Sequence, residues 1–253
     1  MNDIEQAAKI ILASKYLVGL TGAGISVESG IRPFRGPGGL WTEKGEPAMD
    51  GYQRFIQDPK KHWEEIMKRN RHAGEFNRTL GEAKPNPAHV SLADLEEIGI
   101  LKYLITQNID NLHLAAGSKK VAEIHGNSHK LRCLRCGNRY PREAISLDEL
   151  PPKCPRCGGV IKTDTVMFGE PIPSDVLSIC QRETDKADNM LVVGTSAFVY
   201  PAAGFPLAVR QKGGILVEIN LYETELTPLC GISLRGRAGE VLPQLVNFIK
   251  AHI

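Results

Sequence analysis

Four of the six cysteines in the chain fall into two close pairs, Cys133-Leu-Arg-Cys136 and Cys154-Pro-Arg-Cys157. A CxxC spacing lets one tight turn offer two thiolates to a single ion, and two such turns complete the tetrahedron that zinc prefers. Gly137 and the pair Gly158-Gly159 follow the two motifs, where a knuckle needs positive φ. Four unrelated core thiols are a poor alternative, because the surrounding segment has almost no core-forming residues of its own. With every ligand position filled by protein, none is left for water or substrate. The expected role is therefore one structural Zn2+ held by Cys133, Cys136, Cys154 and Cys157. Arg132, Arg135, Arg139, Arg142 and Arg156 lie around this segment. They raise the question of a nucleic-acid-binding ribbon, but no aromatic-rich strand accompanies them. Solvated charge on a small module accounts for them better.

A second group of residues suits a phosphate. Gly22-Ala23-Gly24-Ile25-Ser26-Val27-Glu28-Ser29-Gly30 directly follows an apolar run at 16–20. Glycines after a strand let backbone approach a phosphate closely. The pattern departs from GxGxxG, since position 27 is Val27 and the third glycine is Gly30. A hydride-transferring dehydrogenase would also carry an acidic residue at the end of the next strand. This chain instead runs into FRGPGGLWTEKGEP and has no Tyr-x-x-x-Lys pair. A dinucleotide remains a good ligand and hydride transfer a poor reaction. Arg35 is suitably charged for a pyrophosphate.

Further polar residues stand where apolar runs end: Thr106-Gln107-Asn108-Ile109-Asp110-Asn111-Leu112-His113, then Gly194-Thr195-Ser196, then Asn220. Carboxyl ends of strands are where open α/β sheets bind ligands. His125, in Glu123-Ile124-His125-Gly126-Asn127, follows a short apolar run just ahead of the cysteine segment. A single histidine is more often packed or surface-exposed than catalytic, but a domain junction raises its standing as a base.

To hold these groups the chain needs a sheet. Apolar runs at 16–20, 101–106, 189–193 and 215–219 read as buried strands, and helical spacing marks 2–14, 87–97, 202–211 and 239–252. Strands alternating with amphipathic helices predict a doubly wound parallel α/β sheet. Two stretches break that rhythm: 37–85, with a helix expected at 59–72, and 126–165. They are expected to form a smaller helical and zinc-ribbon domain inserted into a nucleotide-binding domain made of 1–36, 86–125 and 166–253.

Composition narrows the class. The chain has 253 residues, 42% of them hydrophobic, and a net charge of only +2. That length can bury a sizeable core without disulfide staples. So weak a charge supports neither nucleic acid nor a membrane surface as partner. No apolar run approaches the length of a membrane span. Asp3 and Glu5 stand where a secretory signal would be basic. The expected location is cytoplasmic.

Taken in order, the motifs GAGIS-x-ESGI-x-x-FRG, TQNID-x-LH-x-x-AG, E-x-HG, the two CxxC pairs, FGE, GTS-x-x-VYPAA and the late Asn220 closely resemble the sirtuins, the NAD-dependent protein deacylases. The resemblance spans nearly the whole chain. It implies NAD, consumed as co-substrate, between a Rossmann-like domain and the smaller zinc domain. Gly22, Ala23, Gly24, Arg35, Gly194, Thr195 and Ser196 would lie at the phosphates, with Ser26 and Glu28 in the same loop. Asn220, Leu221, Tyr222 and Ala238 would lie near the adenosine half. Gln107, Asn108, Ile109 and Asp110 would surround the nicotinamide ribose and carboxamide, with Trp41 nearby. Phe34 would shield the reacting carbon from water. His125 would act as general base on a ribose hydroxyl, with Asn108 as the second catalytic residue. The acyl oxygen would attack the ribose carbon, giving free lysine, nicotinamide and an O-acyl-ADP-ribose. The substrate peptide would be held as an added strand between Val166, Phe168, Gly169 and Glu170 on one side and Val199 and Tyr200 on the other.

Two departures from the family pattern stand out. Arg32-Pro33 precedes Phe34 where the family commonly has Pro and then a small or acidic residue. Lys162-Thr163 stands where an Arg-Pro start is usual, beside the peptide channel. Sirtuins that prefer succinyl or malonyl groups resemble one another in a Tyr-x-x-Arg pair. Here alignment through Asp58-Pro59 puts Ile66 and Arg69 at those positions, so the pair is half present and acetyl or longer uncharged chains are expected to serve at least as well. The rival readings are a sirtuin-type ADP-ribosyltransferase, a desuccinylase or demalonylase, and a zinc-ribbon nucleic-acid adaptor.

Overall fold

Each of the four apolar runs becomes a strand of one sheet. The computed structural model describes residues 2–71 and 75–253, and the side chains of all of these except 69–71 and 75–78. In chain order the elements are α1 (Asp3–Ala13), β1 (Leu17–Thr21), a 3-10 helix (Ala23–Ser29), α2 (Leu40–Lys44), α3 (Gly51–Gln57), α4 (Pro59–Arg71), α5 (Glu75–Glu82), α6 (Pro87–Glu97), β2 (Leu101–Thr106) and α7 (Leu112–Ala115). They continue with β3 (Val121–Glu123), β4 (Lys130–Cys133), β5 (Arg139–Pro141), β6 (Ile161–Thr163), α8 (Ser174–Lys186), β7 (Asn189–Val193), α9 (Gly204–Gln211), β8 (Ile215–Asn220), β9 (Ile232–Arg235) and α10 (Ala238–Lys250).

The large sheet runs β3-β2-β1-β7-β8-β9 with every neighbouring pair parallel. Its central strands β1 and β7 are buried along their whole length, which is why they read as unbroken apolar runs. Alternation along them splits the core in two. Leu17, Leu191 and Val193 face a layer containing residues of α1, α6 and α10. Val18, Leu20, Met190 and Val192 face the opposite layer, with residues of α8 and α9. Burying each such side chain is worth about 1.5–3 kcal/mol.

The expected helix at 59–72 is α4, observed to Arg71; position 72 lies outside the described residues. The helix expected at 202–211 starts two residues later, at Gly204. The edge strands β3 and β9 and the helix α8 add to the expected set. At three and four residues, half exposed, β3 and β9 carry too little pattern to be read from sequence.

The cysteine segment forms a three-stranded antiparallel sheet ordered β5-β4-β6. Fully buried Trp63 on α4 packs with Leu131, Cys133, Ile145 and Ile161 in a third apolar cluster. Its indole Nε1 donates to the Ile161 carbonyl at 2.9 Å. Among the described residues no helix is long and apolar enough to cross a membrane.

Candidate functional site

Strand order reverses at β1, with β2 on one side and β7 on the other. That is the switch point where open parallel sheets form crevices. A cleft of about 1520 Å³ opens there. Its walls include the ends of β1, β2, β7 and β8, the start of α10 and segment 165–170.

The glycine loop is shaped as much by its neighbour as by any ligand. Gly22 N–H donates to Val193 O at 3.1 Å, and Gly24 N–H donates to Gly194 O at 2.7 Å. A Cβ on Gly24 would lie 2.7 Å from the Gly194 Cα, and one on Gly194 would lie 2.4 Å from the Ile25 nitrogen. Gly194 also holds φ +59°. Glycine at 22, 24 and 194 thus lets two strand-end loops touch backbone to backbone. Gly22, Ala23, Gly24, Glu28, Gly194, Thr195 and Ser196 all line the cleft. Glu28 also accepts the Gly239 N–H at 2.7 Å, fastening the loop to the first turn of α10.

Ser26 and Asp110 do not line the cleft; they form a buried polar layer beneath it. Ser26 Oγ donates to Asp110 Oδ2 at 2.7 Å and accepts from Asn108 Nδ2 at 3.0 Å. Asn108 Nδ2 also reaches Gly22 O at 3.2 Å, and Asp110 Oδ1 accepts the Leu112 N–H. His89, the third residue of α6, accepts the Asn86 N–H at Nδ1 and sits 3.4 Å from Ser26 Oγ through Nε2. Thr21 Oγ1 donates to Thr106 Oγ1 at 2.9 Å, so the His113 Nε2 at 2.9 Å must be the donor to it. Burial lowers His89 to about 4, with the Asp110 charge opposing it. Burial, with the neighbouring His89, lowers His113 to about 3. His113 Nδ1 is buried with no partner among the described residues. The sequence reading missed His89 and His113 as parts of this layer; the Asn86-Pro87 helix start three residues before His89 was the available signal.

Gln107 and Asn108 follow β2 and line the cleft with Ile109 and His125. Gln107 Nε2 donates to Thr195 Oγ1 at 2.8 Å, linking the ends of β2 and β7. His125 Nδ1 lies 3.0 Å from the Gln107 carbonyl. A carbonyl can only accept, so Nδ1 carries the proton and Nε2 is the basic nitrogen. Burial lowers its pKa below the ordinary histidine value, opposed by that bond. The His125 carbonyl accepts the Val166 N–H at 2.8 Å, coupling it to segment 165–170.

The rim is aromatic. Phe34 and Trp41 rings lie 4.7 Å apart, and Trp41 meets Phe168 edge-on at 5.5 Å. Arg35 stacks 4.6 Å over Trp41 and donates to Glu46 at 2.8 Å. Val166, Phe168, Gly169, Glu170, Val199 and Tyr200 line one stretch of wall, and Asn220, Leu221, Tyr222 and Ala238 another. Asn220 Nδ2 donates to the Thr195 carbonyl at 3.0 Å. Arg69 lies on α4, but its side chain is outside the described residues.

At the far end of the small sheet the sulfurs of Cys133, Cys136, Cys154 and Cys157 all lie within 4.8 Å of one another. Cys133 and Cys157 sulfurs are 3.5 Å apart, and those of Cys136 and Cys154 3.8 Å. Zn–S bonds of about 2.3 Å in a tetrahedron put sulfurs about 3.8 Å apart, so the four thiolates fit one zinc ion. Gly137 and Gly158 take φ +71° at the knuckles, as their positions after the pairs predict. A Cβ on Gly159 would fall 3.0 Å from the Cys133 sulfur. The set is a structural zinc site.

Residues 22–201 match the family model described as the Sir2 family. The chain is 46% identical over 248 residues to NAD-dependent protein deacylase 1 of Archaeoglobus fulgidus, covering 97% of this chain and 98% of that protein. The structure matches a mutant Sir2 homologue in complex with ADP-ribose with TM-score 0.84 at 44% identity, covering 100% of this chain and 98% of the other. A Sir2–p53 peptide–NAD+ complex matches with TM-score 0.80 at 36% identity, covering 99% and 100%.

Proposed function

The chain belongs to the Sir2 family, and from that membership we propose that it is an NAD-dependent protein-lysine deacylase, first of all a deacetylase. The observation that carries the reading is the pose of His125: at the cleft wall, Nδ1 tied to a carbonyl, Nε2 left basic and neutral near physiological pH. NAD is a substrate in this reading, and the relatives that bind ADP-ribose or NAD support its place in the cleft.

Gly22, Ala23, Gly24, Arg35, Thr195 and Ser196 hold the phosphates: all six line the cleft, and the two glycines leave room for close approach of an anion to the loop. Asn220, Leu221, Tyr222 and Ala238 take the adenosine half. Gln107, Asn108 and Ile109 face the nicotinamide ribose, with Ser26 and Asp110 fixing the Asn108 amide from beneath. Phe34 and Trp41 exclude water. His125 removes a proton from a ribose hydroxyl, a service worth typically 10²–10⁴-fold. The peptide lies as an added strand between segment 166–170 and Val199-Tyr200, its affinity coming from backbone hydrogen bonds. The nucleotide-binding domain comprises 1–36, 86–125 and 166–253, and the smaller one 37–85 and 126–165. The joint apolar cluster of Trp63 with β4 and β6 supports that division. Partners are acylated lysines of proteins, met in the cytoplasm, with neither nucleic acid nor membrane bound.

Ile66 offers no hydrogen bond to a distal carboxylate, so acetyl or longer uncharged chains serve at least as well as succinyl. Incubation with NAD and a panel of acyl-peptides tests the reading by following nicotinamide and peptide masses together. Loss of the acyl group with stoichiometric nicotinamide is expected. A peptide that keeps its acyl group and gains ADP-ribose would establish the ADP-ribosyltransferase instead.

A further inference from the structure

Lys162 is fully buried on β6 and, with Glu218, is one of two charged side chains among the described residues with no exposure at all. All three of its ammonium hydrogens have acceptors. Nζ lies 2.7 Å from the Thr163 carbonyl, 2.8 Å from the Thr165 carbonyl and 3.1 Å from Glu170 Oε2. Glu170 Oε2 in turn accepts the Met167 N–H at 2.9 Å, and its Oε1 pairs with Arg132 on β4. One ammonium therefore gathers both ends of segment 165–170, and that segment lines the cleft. At its start the segment threads past Gly126, where a Cβ would lie 2.1 Å from the Asp164 carbonyl.

We infer that Lys162 is a positioning residue for the acyl-peptide: through Glu170 its charge holds the strand on which the peptide lies, so peptide recognition depends on that charge and NAD recognition does not. The inference rests on the deacylase reading. A guanidinium, as in the family's usual Arg-Pro start, stays charged at any working pH, whereas a buried ammonium does not. Burial lowers Lys162 to about 8, opposed chiefly by Glu170. The charges around it are Arg132 from β4, Arg139 from β5 through Asp164, Asp175 from α8 through Arg139, and Asp164 and Glu170 from its own segment. From α4 come the neutral Trp63 indole, which donates to the Ile161 carbonyl, and the titratable His62, which shares a pocket wall with Thr163 and Thr165. Three cations face three carboxylates while Lys162 is charged. Above pH 8 the set loses a cation, and Glu170 loses one of the partners that fix it.

The test is the pH profile of kcat/KM for an acetyl-peptide without groups titrating between pH 7 and 9, with saturating NAD, for wild type, Lys162→Arg and Lys162→Met. For the wild type we expect a fall of about fivefold from plateau by pH 9, carried by the peptide KM, with the NAD KM constant within about twofold. Lys162→Arg should be flat over the same range, whatever its absolute level. Lys162→Met at pH 7, if folded by its melting curve, should show a peptide KM raised about tenfold and an unchanged NAD KM. A flat wild-type profile, or a Lys162→Arg profile that falls like the wild type, overturns the inference. So does a folded Lys162→Met with the wild-type peptide KM. If Lys162→Met does not fold, the comparison of wild type with Lys162→Arg decides alone. A wild type that releases no nicotinamide with any acyl-peptide defeats the deacylase reading, a result distinct from all of these.

Discussion

Lowering the pH from 7 to 5 should cost this protein about 4 kcal/mol through two histidines that no substrate touches. His89 and His113 are buried, with ring centroids 4.9 Å apart. In the unfolded chain each takes up a proton near pH 6.5. In the folded protein His89 does so only at about 4 and His113 at about 3. The unfolded state thus binds more protons in acid, and stability present above pH 6.5 is lost as pH falls toward those values. Each pH unit in that window costs about 1.4 kcal/mol per histidine, so the two lose about 2 kcal/mol each by pH 5. Against a total of about 5–15 kcal/mol, that is a large share. Urea unfolding followed by tryptophan fluorescence at pH 7 and pH 5 measures it. The informative variants are His89→Gln, which keeps an acceptor for the Asn86 N–H, and His113→Gln, which keeps a donor for Thr21. Both lose some stability at pH 7, but each should remove about 2 kcal/mol of the pH-dependent loss. Release of zinc in acid affects wild type and variants alike, so the difference between slopes is the readout. A wild type that loses less than about 1 kcal/mol, or a double variant that keeps the wild-type slope, would refute the reasoning.

Four further perturbations follow from the same geometry. His125→Ala should lower kcat by about 10²–10⁴-fold while NAD still binds, and near-normal turnover would remove His125 from the mechanism. In the wild type the acid limb of kcat/KM should fall below pH 6.5, because a depressed base stays active to lower pH; a limb centred above 7 contradicts the assignment. Cys133→Ser or Cys154→Ser should lose the metal and lower the melting temperature, since binding is coupled to folding; full stability without zinc in an elemental assay would count against a structural site. Gly194→Ala forces a methyl to within 2.4 Å of the Ile25 nitrogen at φ +59°. It should cost roughly 1–3 kcal/mol and weaken NAD, and calorimetry showing unchanged affinity and melting would mean that the two loops are not held as described.

How legible all this was depends on what sort of pattern each part leaves. The central strands announce themselves because burial on both faces leaves only apolar residues, as in Leu17–Thr21 and Asn189–Val193. The zinc cysteines and their glycines were equally plain, since tight turns impose spacing. Edge strands such as Val121–Glu123 were not, because a short strand with one covered face has no period to read. Nor did the sequence reveal that Ser26 and Asp110 lie beneath the cleft, or that His89 and His113 join them. Pairings across 63 and 92 positions, such as His89 with Ser26 and His113 with Thr21, exist only in the folded chain. Gly24 is the instructive half-success. Its need for glycine was evident, yet the close neighbour is the Gly194 backbone as well as any phosphate.

The bond from the Trp63 indole to the Ile161 carbonyl spans 98 positions. On a ribosome adding about 5–20 residues per second, Trp63 emerges some 5–20 s before its partner. Its apolar partners in the small sheet begin only at Leu131, so for most of that interval a large apolar ring on a charged helix lacks the sheet it packs against. The zinc module is also the last part of the smaller unit to be made, so metal capture and the sheltering of Trp63 come together, late in synthesis. A nascent chain stalled before Leu131 would therefore leave that ring exposed to chaperones.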